Sequence, residues 1–116
     1  MHALIIEDET IIALAIEDVL RDSGYTSFDF ATSVDAAVSA AARRCPDLIT
    51  ADVRLAPGCG IDAIDTICSK QPIPVIFITA SPTEVRERCP DRIVITKPFG
   101  AADVTRAVQL VTSGLP

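Results

Sequence analysis

Three acidic residues, one threonine and one lysine of this chain stand at the ends of short apolar runs. The first run ends at Glu7 and Asp8, the second at Asp52, the third at Thr79 and the fourth at Lys97. Three carboxylates at close range repel one another, which raises the pKa of at least one of them unless a cation joins them. All-oxygen ligands that leave room for water and a phosphate favour magnesium. These residues therefore predict a Mg²⁺ site, provided that the fold brings them together.

Asp52 is the candidate nucleophile of this group. A carboxylate beside such a metal can attack phosphorus, while the metal and a fixed ammonium neutralise the equatorial oxygens of the transferred group. Lys97 would supply that ammonium. The Thr79 hydroxyl would donate a hydrogen bond to a phosphoryl oxygen, worth about 1.5–3 kcal/mol for a charged acceptor. That bond would draw the loop after Thr79 toward the site.

Each residue taken alone has an ordinary structural explanation. An acidic pair before a helix complements the helix dipole, and a threonine or lysine after a strand is commonly just solvated. The residues taken together are hard to explain by chance, because ligands of open parallel sheets bind beyond the carboxyl ends of the strands. We therefore interpret them as one functional site.

The elements that must position these residues alternate along the chain. Apolar runs typical of strands buried on both faces cover residues 4–6, 48–51, 75–78 and 93–95, and a weaker, alternating strand covers residues 25–30. Helical spacing fills the intervals. Five strands alternating with five helices predict an α/β fold, a doubly wound parallel sheet covered on both faces with right-handed crossovers.

Capping and breaking residues delimit the predicted helices. The first helix begins at Thr10, has Ile12, Ile16 and Leu20 on one face with Ala15 and Val19 beside them, and ends before Gly24; the second opens at Ser33 and runs to about Cys45. After a loop over residues 56–60, a third helix carries Ile64, Ile67 and Cys68 on one face. A short fourth helix is capped by Ser81, with Pro82 at its first position and Pro90 at its end. A fifth helix carries Val104, Ala107, Val108 and Val111 and ends at Ser113-Gly114.

Composition limits the classes of function. The 116 residues are 49% hydrophobic with a net charge of −6, which indicates one domain over residues 1–116 and argues against direct nucleic-acid binding, since that requires clustered Lys and Arg. No stretch approaches the ~20 apolar residues of a membrane span, so we expect a cytoplasmic protein without membrane contact. The four cysteines form no CxxC pair and are expected to be free thiols, and Cys68 is expected to be a small core residue.

From Ala3 to about Val111 the chain resembles the receiver domains of response regulators. Leu4-Ile5-Ile6-Glu7-Asp8-Glu9 is similar to the acidic-pair strand of that family, Pro46-Asp47-Leu48-Ile49 followed by Asp52 is similar to its phosphoacceptor strand, and Ile95-Thr96-Lys97-Pro98-Phe99 is similar to its Lys-Pro-Phe signature.

The resemblance implies a flavodoxin-like (βα)5 fold with strand order 2-1-3-4-5 and a signalling role in a phosphorelay. Asp52 would accept a phosphoryl group from the phosphohistidine of a sensor histidine kinase or phosphotransfer protein, and the output would reach a downstream protein target. Asp8, Asp52 and the backbone carbonyl of Arg54 would hold Mg²⁺, with Glu7 helping through water. The chain would not be an enzyme but a phosphoacceptor that takes part in its own Mg²⁺-dependent phosphoryl transfer and dephosphorylation. The Lys97-Pro98 peptide would be cis.

Within the family, Phe77-Ile78-Thr79-Ala80-Ser81-Pro82 looks most like the receivers of alphaproteobacterial general-stress regulators and their single-domain relatives. Receivers usually carry an aromatic switch residue three positions before the lysine, and here that position is Val94. The segment for the fourth helix is also short. We therefore expect an output that does not depend on the rotation of an aromatic ring.

Three other functions use similar residues or the same fold. A phosphohydrolase of the haloacid-dehalogenase type needs a second aspartate two residues after the nucleophile, where this chain has Arg54, and a cap domain for which it is too small. A flavodoxin-like cofactor carrier needs a Gly- or Thr-rich phosphate loop after the first strand, which is missing. A receiver fold that takes no phosphate and serves only as an interaction module remains open, because fold alone does not imply function.

Overall fold

The computed structural model describes residues 1–113, which form five strands alternating with five helices. The strands are β1 His2–Ile6, β2 Ser27–Ala31, β3 Leu48–Ala51, β4 Val75–Thr79 and β5 Ile93–Thr96. The helices are α1 Thr10–Asp22, α2 Val34–Arg43, α3 Gly60–Cys68, α4 Pro82–Arg88 and α5 Ala101–Thr112. The alternation predicted from hydrophobic patterning is confirmed. The last helix was predicted to end at Ser113-Gly114. Ser113 is the C-cap of α5, and Gly114 lies outside the described residues.

The strands form one parallel sheet in the order β2-β1-β3-β4-β5, as the resemblance implied. Strand β1 pairs with both β2 and β3, so the strand order reverses at β1 and a crevice opens beyond its carboxyl end. The ends of β1, β2 and β3 are level, since Ile6 lies opposite Ala31 and Ala51, and the ends of β4 and β5 are level, since Thr79 lies opposite Thr96. Strand β4 runs two residues further than β3, because Ala51 lies opposite Phe77. Residues that follow these strands therefore emerge at one edge of the sheet.

Two apolar layers sandwich the sheet. One cluster of buried side chains joins α2, α3 and α4 to one face, and a second joins α1 and α5 to the other. The inner strands β1, β3 and β4 are buried along their whole length because both of their faces are covered, whereas the edge strands β2 and β5 are partly exposed. This explains why the inner strands were the most evident in the sequence.

Local signals at the helix ends were mostly correct. The Ser33 hydroxyl caps α2 by accepting the Ala36 amide at 3.2 Å, and Gly24 follows α1 with a φ of +99°, a conformation that favours glycine. Ser81 occupies the N-cap position of α4, but the prediction that its side chain caps the helix is wrong, since it makes no cap hydrogen bond. The predicted apolar face of α1 was also wrong at Ala15, which is exposed, while Ala13 is buried instead.

Two smaller expectations concern cysteines and membranes. All four cysteines are free thiols, as expected, and Cys68 is half-buried against the α2–α3–α4 cluster rather than fully within it. Among residues 1–113, no helix combines the length and apolar character needed to cross a bilayer.

The core contains a buried hydroxyl, that of Thr50, whose removal should stabilise the protein. Thr50 lies in β3 opposite Ile5 and Ile76, and within residues 1–113 its buried hydroxyl has no hydrogen-bond partner. A buried hydroxyl without a partner costs free energy, while an apolar group of the same shape does not. We expect Thr50→Val to raise the free energy of unfolding by about 1 kcal/mol, measured by urea denaturation.

Thr66→Val is the matched control, because the Thr66 hydroxyl is exposed and donates to the Asp62 carbonyl at 3.1 Å. Its effect should stay within about 0.5 kcal/mol, as for most surface substitutions. A destabilised Thr50→Val protein would mean that the hydroxyl contributes a favourable interaction.

Candidate functional site

The predicted site residues converge at the carboxyl edge of the sheet. The Lys97 ammonium, which follows β5, donates to Glu7 Oε1 at 2.7 Å and to Asp52 Oδ2 at 2.8 Å. These partners lie 90 and 45 residues away in sequence. Glu7 is 3% exposed and Asp52 is 7% exposed, so the ion pairs form in a place that water reaches poorly. The predicted convergence of Glu7, Asp52 and Lys97 is thus found in the structure.

Backbone hydrogen bonds extend the sheet by one residue beyond each strand and hold these residues in place. The Asp52 amide donates to the Ile6 carbonyl at 3.0 Å, and the Glu7 amide donates to the Ala31 carbonyl at 2.9 Å. The Lys97 amide donates to the Thr79 carbonyl at 2.9 Å. The side chains therefore project from positions that the sheet itself determines.

Glu7, Asp8 and Asp52 form the candidate metal centre. Each offers a carboxylate oxygen, and these oxygens all lie within 4.8 Å of one another. Glu7 and Asp52 are buried and Asp8 is exposed, so the cluster opens to solvent on the Asp8 side. A set of carboxylate oxygens with an open side fits a hard cation such as Mg²⁺, which keeps part of its water shell.

Burial and charge act in opposite directions on Glu7 and Lys97. Burial raises the pKa of the Glu7 carboxyl, and the hydrogen bonds from Lys97 and from the Glu9 amide offset this only in part. Burial alone would lower the pKa of Lys97, but its hydrogen bonds to Asp52 and Glu7 outweigh that effect and raise it. The lysine is therefore charged throughout the neutral range and already neutralises part of the acidic cluster.

Thr79 and the Lys97-Pro98 peptide complete the edge. The Thr79 hydroxyl accepts the Ser81 amide at 3.0 Å, which leaves the hydroxyl proton available to another acceptor. The Lys97-Pro98 peptide is cis, as the resemblance implied, and Phe99 after it packs against the α1–α5 cluster. A second cis peptide, Ala56-Pro57, was not anticipated.

Arg54 lies in the loop between β3 and α3. Its side chain is exposed, and its backbone forms an isolated bridge with Cys59 that closes the loop. The Leu55 amide donates to the Gly58 carbonyl at 3.1 Å within the same loop. The participation of the Arg54 carbonyl in metal binding stays a prediction.

Gly60 is a site residue whose role the sequence interpretation missed. It was assigned to the loop, whereas it is the first residue of α3, and its amide donates to the Val53 carbonyl at 2.6 Å. A Cβ atom at this position would lie 1.7 Å from the carbonyl oxygen of Asp52. Only glycine lets α3 begin directly against the Asp52 backbone. A glycine at the first turn of a helix that follows a strand-end aspartate was the available signal.

Comparison with known proteins gives one family. A family model described as the response regulator receiver domain matches residues 3–109. The chain is 35% identical to the transcriptional regulatory protein PdtaR of Mycobacterium tuberculosis, over 97% of this chain and 57% of that protein. It is 38% identical to the phyllosphere-induced regulator PhyR of Methylorubrum extorquens, over 91% of this chain and 41% of that protein. The chain thus spans about half the length of these relatives.

Solved structures agree with the sequence relatives. The PhyR receiver domain of Erythrobacter litoralis superposes with a TM-score of 0.89 at 33% identity, covering 99% of this chain and 93% of that one. The receiver domain of the Pseudomonas aeruginosa sensor histidine kinase PA1611, with magnesium coordinated in its active-site cleft, superposes with a TM-score of 0.83 at 28% identity, covering 97% and 98%. The presence of PhyR among the matches agrees with the resemblance seen at residues 77–82.

The position of Lys97 predicts competition between its ammonium and a bound cation. Because the ammonium contacts oxygens of both Glu7 and Asp52, it repels a divalent ion and occupies ligand atoms. We expect Lys97→Met to bind Mg²⁺ more tightly than the unmodified protein, by about tenfold or 1.4 kcal/mol, measured by isothermal titration calorimetry.

Lys70→Met is the matched control, because Lys70 follows α3 at the opposite end of the sheet and should leave the affinity unchanged. Asp8→Asn should weaken binding, since it removes a carboxylate from the cluster. An affinity of Lys97→Met equal to or lower than that of the unmodified protein would contradict the competition.

Proposed function

The chain belongs to the response regulator receiver domain family, and we propose that it is a phosphorylation switch in which Asp52 accepts the phosphoryl group. The observation that carries the proposal is the Lys97 ammonium, which holds Asp52 Oδ2 at 2.8 Å beside the acidic pair. Receiver domains act in two-component signalling, so we propose a sensor histidine kinase or phosphotransfer protein as the donor and a downstream protein as the target. A donor of that kind would place the reaction in the cytoplasm.

The proposed reaction is a transfer from phosphohistidine to Asp52. A carboxylate oxygen of Asp52 attacks phosphorus, a P–O bond forms, and the P–N bond to the donor imidazole breaks with the electron pair leaving on nitrogen. Lys97 faces the negative charge on the phosphoryl oxygens, and its raised pKa keeps it charged. Mg²⁺, when bound, supplies further neutralisation of that charge. Asp8, Asp52 and the Arg54 carbonyl would hold the metal, with Glu7 acting through water.

Thr79 is proposed to detect the phosphoryl group. Its hydroxyl already accepts the Ser81 amide, so its proton is available for a phosphoryl oxygen, and a charged acceptor makes that hydrogen bond favourable. Thr79 precedes α4 by only Ala80 and Ser81. Movement of the Thr79 side chain would therefore reposition α4 directly.

Helix α4 is suited to move because little holds it. It has seven residues and a single buried side chain, Val85. Val94 of β5 packs against the core and has no ring to rotate. We propose that the output runs through the segment after Thr79 and that residues 1–116 act as one receiver unit. The activity of any longer protein of which this unit forms part would be decided by its other segments.

The first test is covalent labelling. With Mg²⁺ and a small phosphoryl donor such as phosphoramidate, the protein should gain the mass of one phosphoryl group, lost again on treatment with base as expected for an acyl phosphate. Asp52→Asn should gain none, because the acceptor oxygen is replaced by an amide. Asp18→Asn, which changes an exposed carboxylate on α1, should be labelled normally.

Intact-mass spectrometry distinguishes the outcomes. Equal labelling of the unmodified protein and Asp52→Asn would refute the assignment of the acceptor. Failure to label the unmodified protein with either a small donor or a kinase would favour the alternative of a receiver fold that serves only as an interaction module.

The second test concerns the output. On phosphorylation, amide hydrogen exchange should change most between residues 79 and 91, because the Thr79 hydroxyl is drawn toward Asp52 and α4 follows. Thr79→Val should reduce this change while leaving Asp52 labelling largely intact. Thr50→Val removes a hydroxyl from the middle of β3 and should leave the exchange response unchanged.

A change concentrated in α1 or α2 instead would contradict the proposed route, although the assignment of Asp52 could still stand. Mass spectrometry of peptic peptides gives the required resolution along the chain.

A further inference from the structure

One guanidinium joins α4 to α3. Arg88 Nη2 lies 3.0 Å from Asp62 Oδ1 and 3.7 Å from Asp65 Oδ2, both on α3. Its Nη1 lies 3.4 Å from Glu84 Oε2 on α4 itself and 3.9 Å from Cys59 Sγ at the N-cap of α3. Within residues 1–113, the contacts of Arg88 with Asp62 and Asp65 are the only ion pairs between α4 and another element.

Helix α3 provides a fixed anchor for these bonds. It starts at Gly60, which lies directly against the Asp52 backbone, and its side chains Ile61, Ala63 and Ile64 are buried in the core. Helix α4, in contrast, has one buried side chain, Val85, and its partly buried C-cap residue Cys89 packs against the same cluster. The Arg88 bonds therefore tie the last turn of α4 to α3, a helix that starts directly against the backbone of Asp52.

Thr79 and Arg88 lie at opposite ends of the same short segment, which contains α4. Thr79 precedes α4 and Arg88 is its last residue. A displacement of α4 that follows Thr79 would lengthen or break the bonds between Arg88 and α3, because α3 is packed into the core and starts against the Asp52 backbone. A hydrogen bond from Thr79 to a phosphoryl group and the ion pairs of Arg88 with α3 would therefore favour different positions of α4.

We infer that Arg88 is a latch that holds α4 in its resting arrangement and opposes the phosphorylated one. The consequence for signalling rests on the proposed function, whereas the contact itself does not. All members of the network are substantially exposed, and exposed ion pairs are individually weak. A weak restraint suits a switch, because a hydrogen bond between Thr79 and a phosphoryl oxygen is of sufficient size to overcome it.

The first arm of the test uses the protein without any phosphoryl donor. Amide exchange in residues 82–89 should be about two- to fivefold faster in Arg88→Gln, the factor expected for loss of exposed ion pairs. Arg86→Gln is the matched control, since Arg86 lies on the same helix, is exposed and has no ion partner among the described residues. Asp62→Asn should act in the same direction as Arg88→Gln, and Arg88→Lys should restore part of the protection.

Salt distinguishes an electrostatic restraint by Arg88 from packing of its aliphatic stem, because salt screens charges and leaves packing contacts in place. Raising the salt concentration to about 1 M shortens the screening length to about 3 Å. Exchange in α4 of the unmodified protein should then approach that of Arg88→Gln, which should itself respond little. Equal exchange in Arg88→Gln, Arg86→Gln and the unmodified protein would overturn the latch.

The second arm adds phosphoramidate at a concentration that phosphorylates only part of the protein. By linkage, a variant that favours the released arrangement should be phosphorylated more completely, so Arg88→Gln should show about two- to fivefold more phosphorylated relative to unphosphorylated protein than Arg86→Gln. If neither is labelled, the proposed function fails, while the donor-free exchange still decides whether the latch exists. If both are labelled equally, the latch does not oppose phosphorylation and the inference is wrong.

Discussion

The two hydrogen bonds of the Lys97 ammonium to Glu7 and Asp52 are the interaction on which the rest of the site depends. A buried carboxylate without a partner is costly, and two of them side by side are more so. The sheet can bring these acids together at its carboxyl edge because β5 delivers a cation to the same place. The strand order and the backbone bonds at Glu7, Asp52 and Lys97 produce that geometry. The arrangement would also limit the position of a metal ion at Glu7 and Asp52, which would share oxygens that the lysine already contacts.

Much of this could be predicted because the signals are local and physical. Strands β1, β3 and β4 are covered on both faces, so each appears in the sequence as an uninterrupted apolar run with a polar residue at its end. In a parallel sheet those ends meet, and Glu7, Asp52, Thr79 and Lys97 followed from that rule together with the residue types. The exposed edge strand β2 was harder to delimit, and its observed span Ser27–Ala31 begins later than the alternating pattern suggested.

What escaped prediction depends on the geometry of the folded chain rather than on residue type. A glycine after the strand-end aspartate was visible in the sequence, but the close approach of α3 to the Asp52 carbonyl that requires it is a distance only the packed structure gives. The Ser81 side chain was expected to cap α4, a role its residue type favours, yet the observed bond at this turn runs from the Ser81 amide to the Thr79 hydroxyl. Arg88 resembled any other surface arginine, because its partners Asp62 and Asp65 belong to a different helix. Such contacts can be predicted only once the arrangement of the helices is known.

The fold separates rigid parts from mobile ones in a way that suits a switch. Asp52 is held by β1 on one side and by Gly60 at the start of α3, so the proposed acceptor has little freedom. Helix α4 is short and tied down by Val85 and by solvent-exposed charges, which places it at the weakly held end of the structure. A receiver with an aromatic residue in β5 could pass its signal through rotation of that ring. With Val94 in that position, the free energy of the proposed phosphoryl contact would have to appear as movement of backbone instead, for which the short segment between Thr79 and β5 is suited.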